Sequence, residues 1–238
     1  MNWEQGRIEY GGHAIEFAVI RRKRRTLEIA VEPDATVVVA APLGASLEAI
    51  AEKVRKRASW VRQQQHFFLQ FVPRTLARRY VSGETHLYLG RQYRLKVVSG
   101  DQAGVKLWRG LLLVQSEKPK RLDLTAEILN SWYRDRAHVK FAERLEINLG
   151  RFRYPEAFRP KGIIVRQLHR RWGSMSPGHR MVLNRKLIEA PVDSIDYVIT
   201  HELCHVAEPH HGPAFFRLLE RILPDWKRRK HRLEFVLA

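Results

Sequence analysis

HELCHVAEPHHGP, residues 201–213, brings four histidines and two glutamates together in one short run. His201 and His205 are four apart, so on a helix they share a face, with Cβ atoms about 5–6 Å apart, and both reach one cation. Glu202 adjoins the first histidine about a quarter-turn round the helix, where its carboxylate meets a metal-bound water without ligating the metal. H-E-x-x-H on a helix is the zinc-hydrolase signature for that reason. A catalytic zinc takes three protein ligands and keeps one position open, so a third ligand is required. Pro209 disfavours helical geometry in the residue before it, which predicts a helix end near Ala207 or Glu208. His211 follows six residues after His205, and Gly212 and Pro213 favour a tight turn into a further helix, PAFFRLLERIL. The candidate ligands are His201, His205 and His211. His210 is the alternative third ligand, and Glu208 is one for an oxygen-preferring metal.

Zinc held by three neutral imidazoles keeps its full charge and lowers the pKa of a bound water from about 15.7 toward 7. Glu202 is then the expected general base. Arg171 and Tyr197 are candidates to stabilise the developing oxyanion: Tyr197 lies one turn before His201, and Arg171 lies just upstream. The single cysteine, Cys204, reads as a small buried thiol and not as a ligand. His13, His66, His86, His138, His169, His179 and His231 have no partner at ligand spacing, and surface or structural roles are expected for them.

Working outward, Pro191 and Asp193 start the motif helix, with Asp193 and Asp196 in a capping-box-like relation. GIIVRQLH and RMVLN read as a hairpin around SMSPGH, whose exposed edge could pair with an extended peptide. Leu122 to Leu149 has helical periodicity. THLYLG, YRLKVV, GVKLW and LLLVQS read as strands. A single helix is expected from Ser46, its N-cap, with Leu47, Ile50, Val54, Ala58 and Val61 on one face. Gly6 to Ala41 alternates as an antiparallel meander. The class is α+β: an N-terminal β-rich module, residues 1–120, then a helical module with a short β-sheet, residues 121–238. No internal repeat is evident.

A formal charge of +18, with basic clusters at Arg21–Arg25, Arg74–Arg79, Arg166–Arg171 and Lys227–Arg232, means either solvated faces or attraction to phosphates. There is no basic-then-apolar leader and no apolar run of membrane-spanning length, so no membrane partner and a cytoplasmic location are expected.

RRWGSMSPGHRMVLNRKLIEAPVDSIDYVITHELCHVAEPHHGPAFF, followed by LPDWKRRKHRLE, resembles the YgjP-like metallopeptidase family, related to SprT-like and WLM proteases. RRKRRTLEIAVEP and YVSGETHLYLGRQYRLKV extend the resemblance over almost the whole chain. It implies a zincin-like fold, a Zn2+ cofactor and a protein or peptide substrate. His201, Glu202 and His205 match the family's metal motif, and His211 matches the third ligand of the H-G-P-x-F run in SprT-like proteases. Met175 and Glu208 depart from relatives' patterns. Some relatives are labelled nucleotide pyrophosphohydrolases, so the alternatives are a metal-dependent nucleotide hydrolase and a nucleic-acid-associated protein or protease using the basic surface.

Overall fold

In the computed structural model, residues 4–32, 34–70, 78–168 and 171–237 are described. Residues 74–77 of the second basic cluster, and His169 and Arg170 of the third, lie outside them. The fold is α+β, and the chain forms two compact units, Met1–Arg74 and Thr75–Leu237. The division falls well before the boundary expected near 120, because strands 85–116 share one core with the helices that follow them.

The first unit holds β1 (Glu4–Tyr10), β2 (His13–Arg22), β3 (Glu28–Val31) and β4 (Val37–Pro42). They form a sheet in the order β1-β2-β4-β3. This is not a meander: β2 and β4 pair in parallel, with β1 and β3 antiparallel at the edges. The expected single helix is two, α1 (Leu47–Lys56) and α2 (Ala58–Leu69), interrupted at Arg57. Ser46 caps α1 as expected, accepting from the Ala49 N–H at 3.2 Å. Ile50, Val54, Ala58 and Val61 are buried and form this unit's core with Ile15, Phe17 and Val39. Part of the first basic cluster is structural: Arg21 pairs with Glu4 at 2.8 Å and Arg24 with Glu28 at 2.9 Å.

The second unit begins with β5 (Thr85–Tyr88), β6 (Arg91–Ser99), β7 (Gly104–Trp108) and β8 (Leu111–Ser116), in the order β5-β6-β8-β7. Next comes α3 (Leu122–Leu149), whose Leu129, Tyr133, Ala137, Phe141 and Leu145, every fourth residue, are buried as one stripe. A short α4 (Pro155–Phe158) leads to β9 (Gly162–Arg166), β10 (Gly173–Met175) and β11 (Arg180–Asn184). The expected hairpin of residues 162–169 with 180–184 is corrected here. β9 runs parallel to β11, and the true hairpin partner of β11 is β10, a strand too short to show periodicity. A 3-10 segment, Arg185–Glu189, precedes α5 (Val192–Cys204), and α6 (Pro213–Ile222) and α7 (Trp226–Leu237) complete the unit.

The helix α5 carries the motif and is almost wholly buried. The expected capping box does not form: the N-cap is Pro191, without a side-chain cap. Asp193 instead accepts from Arg232, and Asp196 turns inward. Arg144 holds the Asp196 carboxylate with two 2.7 Å hydrogen bonds, and Asn148 donates to it at 2.8 Å. Thr200, next to His201, donates to Asn148 at 3.1 Å. The network locks α5 onto α3, and breaking such a buried pair by removing one partner costs about 3–5 kcal/mol. Among the described residues, no helix is long and apolar enough to cross a membrane.

Candidate metal centre

The helix α5 ends at Cys204, earlier than Pro209 suggested, and His205 is its C-cap. The chain leaves through a turn in which the Ala207 and Glu208 N–H groups both bond the Cys204 carbonyl. That early exit returns His211 to the helix. One nitrogen from each of His201, His205 and His211 lies within 4.8 Å of the others, and the Nε2 atoms of His201 and His211 are 2.9 Å apart. Tetrahedral ligands at Zn–N distances of about 2.0–2.1 Å sit about 3.3 Å from one another, so shifts of a few tenths of an ångström at the closest pair, and closure of the longer separations, suit one ion.

The donor chemistry fits as well. His205 Nδ1 lies 3.0 Å from the Glu208 carbonyl. A carbonyl only accepts, so Nδ1 carries the proton and Nε2 keeps its lone pair for a cation. Glu208 therefore contributes through its backbone. His201 is held neutral: burial, then the charges of His211, His205 and Lys230, push its pKa down to about 3. Burial likewise lowers that of His211. His210 is exposed and outside the group. Cys204 is fully buried, and burial pushes its thiol up to about 12.

Phe215, fully buried at the start of α6, forms the floor of the site. The His201, His205 and His211 rings lie 4.9, 4.6 and 4.8 Å from its ring centroid. The sequence reading missed it, although its position two residues after Pro213 was a signal: proline at the first turn of α6 directs Phe215 under the imidazoles.

Glu202 is 4% exposed, and its Oε2 has no hydrogen-bond partner among the described residues. Burial pushes its carboxyl up to about 7, against the Met175 N–H bond and the Arg171 charge, which pull it down. Its side chain lies on β10: a Cβ on Gly173 would sit 2.8 Å from Glu202 Oε1 and 2.9 Å from Cγ. Glycine in the R-W-G-S run is thus the space the carboxylate occupies.

A cavity of about 720 Å3 lies over these groups, lined by β10, the three histidines, Glu202, Arg171, Tyr197, Lys230 and Glu234. Both proposed oxyanion candidates therefore face the same space. Tyr197 is 7% exposed, with its ring 5.8 Å from that of His201 and stacked on Trp226. Burial, reinforced by Glu234 and Glu202, raises its pKa, so it remains a hydroxyl donor at neutral pH. Lys230 and Glu234 were not singled out from the sequence, since a basic helix end reads as a solvated face. Glu234 accepts from the Trp172 indole at 3.2 Å.

Strand β10 is a sheet edge. The Asn184 N–H bonds the Trp172 carbonyl at 2.8 Å and the Ser176 N–H bonds that of Arg180 at 2.9 Å. By the alternation of antiparallel pairs, Gly173 and Met175 present their backbone groups away from β11. The Met175 N–H is the one that holds Glu202.

Three imidazoles converging on one point, beside a buried carboxylate on the same helix, define the class of metal-dependent hydrolases. The family model for the YgjP-like metallopeptidase domain matches residues 25–235, and the chain belongs to that family. Comparisons with curated proteins and with solved structures return no match.

Proposed function

We propose that the protein is a zinc-dependent metallopeptidase, with His201, His205 and His211 holding the metal and Glu202 as general base. The observation that carries this reading is the pairing of the three converging nitrogens with a buried carboxylate oxygen that has no hydrogen-bond partner among the described residues. Three neutral nitrogen donors suit zinc. Bound there, the metal supplies a Lewis acid and lowers the pKa of a coordinated water. Glu202 accepts the proton of the attacking water and returns it to the leaving amine. Gly173 and the Met175 N–H fix where that carboxylate stands. The Tyr197 hydroxyl and the Arg171 guanidinium donate toward the carbonyl oxygen as it gains charge. The outward backbone of Gly173 pairs with an extended peptide and lays its carbonyl across the site.

Metal content and cleavage of a peptide library are measured on wild type, His211→Ala and Glu202→Gln, purified without added metal. One zinc per chain in wild type and Glu202→Gln, and none in His211→Ala, is expected. Cleavage falls by about 10²–10⁴-fold in Glu202→Gln. Stoichiometric zinc with no Glu202-dependent cleavage of any peptide sinks the peptidase reading. Loss of zinc from the Glu202 variant makes that residue a ligand instead.

A further inference from the structure

A second recess, sharing no lining residue with the cavity over the histidines, is built where β9 and β11 end. The two strands are parallel, with Arg166 opposite Asn184 as the last registered pair, so both chains leave the sheet at their carboxyl ends side by side. Crevices at the carboxyl ends of parallel strands are where α/β sheets hold ligands. From β9 come Val165, Arg166 and Gln167. From the residue after β11 comes Arg185, and from one face of α3, four residues apart, come Asn130 and Arg134. These six enclose about 180 Å3.

Three arginines thus line a space large enough to admit a phosphate group, and among the described residues no carboxylate lines it. Arg185 is oriented by Asn130, whose side-chain oxygen accepts from it at 2.6 Å. Arg134 and Arg166 have no ion-pair partner among the described residues. Gathered like charges repel, and an anion with several oxygens relieves that repulsion through bidentate, charge-assisted hydrogen bonds. The recess opens into a cavity of about 640 Å3 that shares Asn130, Gln167 and Arg185 with it. There Gln92 and Thr85 offer donors and acceptors to hydroxyl groups, while Glu189 is engaged by Arg78 at 2.5 Å.

We propose that this recess binds the phosphate of a small phosphate monoester with a hydroxylated body, such as a sugar phosphate, whose body fills the adjoining cavity. The site is independent of the histidine triad and of any peptidase activity. Calorimetric titrations of the full chain, metal-free and zinc-loaded, use inorganic phosphate, a sugar monophosphate and a single-stranded oligonucleotide. Wild type binds one sugar monophosphate per chain, more tightly than inorganic phosphate, in both metal states. Arg134→Gln and Arg166→Gln each weaken it by about tenfold or more, with circular dichroism and zinc content unchanged. Arg166→Lys, which keeps the charge but not the fork, falls between. The proposal is overturned if neither phosphate nor the monoester saturates, if the glutamine variants bind as wild type does, or if binding vanishes with the metal, which assigns it to the histidines. Oligonucleotide binding without monoester binding overturns it equally, in favour of a nucleic-acid surface.

Discussion

The sheet of residues 4–42 and the sheet of residues 85–116 have the same strand order, with the outer pairs antiparallel and the central pair parallel. Each opens with a two-residue hairpin loop after a tyrosine, Tyr10 or Tyr88. The loop residues have nearly the same positive φ, +57° and +76° at Gly11 and Gly12, +50° and +77° at Leu89 and Gly90, the mirror-image turn that suits strand twist. Their surroundings differ. A Cβ on Gly12 would meet nothing within 4 Å, whereas one on Gly90 would lie 2.8 Å from Pro191 Cγ and 2.9 Å from its Cα. The Leu89 and Gly90 N–H groups bond the carbonyls of Ile188 and Glu189 at 2.9 and 3.0 Å. In the second sheet the turn clamps the chain just before the metal-site helix. In the first, the same turn meets nothing at Gly12. One strand arrangement acquires a part in the site only through what its turn touches.

Breaking that contrast should produce the largest effect. Gly12→Ala is expected to cost about 1–2 kcal/mol, the strain of a left-handed residue. Gly90→Ala adds a clash with backbone, worth about 1–3 kcal/mol more. Urea denaturation of both variants measures the difference, and equal losses would remove the clamp.

A second contrast lies in the cores. His86, fully buried, occupies the strand position that Ile8 fills in the first sheet, two residues before the tyrosine. Its pKa is lowered from 6.5 by burial and then by the Arg78 charge, against the Glu84 carboxylate 3.0 Å away. Tyr80 packs beside it, and Glu189 neutralises Arg78. The unfolded chain therefore takes up this proton first as pH falls below 6.5, and stability declines from there. Burial alone would raise the Glu84 pKa, but the Arg79 and Tyr80 N–H groups and His86 bring it below 4.5, which extends the decline below pH 4.5. Thermal unfolding of His86→Leu between pH 7.5 and 5.5 should show a shallower slope than wild type. An unchanged slope would place the sensitive group elsewhere.

The smallest effect sharpens the likeness of the turns themselves. Gly11→Asn makes the first an Asn-Gly loop, favoured in this conformation, and should alter stability by no more than about 0.5 kcal/mol. A larger loss, measured by the same denaturation, would mean the turn has a contact of its own.

The likeness of the sheets was not legible as a repeat, because topology is kept while residues change: Ile8 against His86, Phe17 against Leu95. Strands β5 to β8 and helix α3 were legible, since the period of two and the apolar stripe of α3 are local. The break at Arg57 was not, because the apolar spacing runs on through it. The partner of β9 was legible but its direction was not: β9 runs parallel to β11 because β10, only three residues long, takes the antiparallel hairpin place beside β11.

What the sequence by itself determined is the local chemistry: two histidines and a carboxylate on one helix, a capped α1, and a proline that starts α6. Helical spacing and backbone preference act within a few residues, so they can be read from the chain. Only the tertiary structure decided that Glu202 lies over Gly173, that Asp196 is held by Arg144, and that three arginines line one recess beyond the ends of β9 and β11. Those arrangements depend on close approach of residues far apart in sequence, set by packing rather than by any local preference.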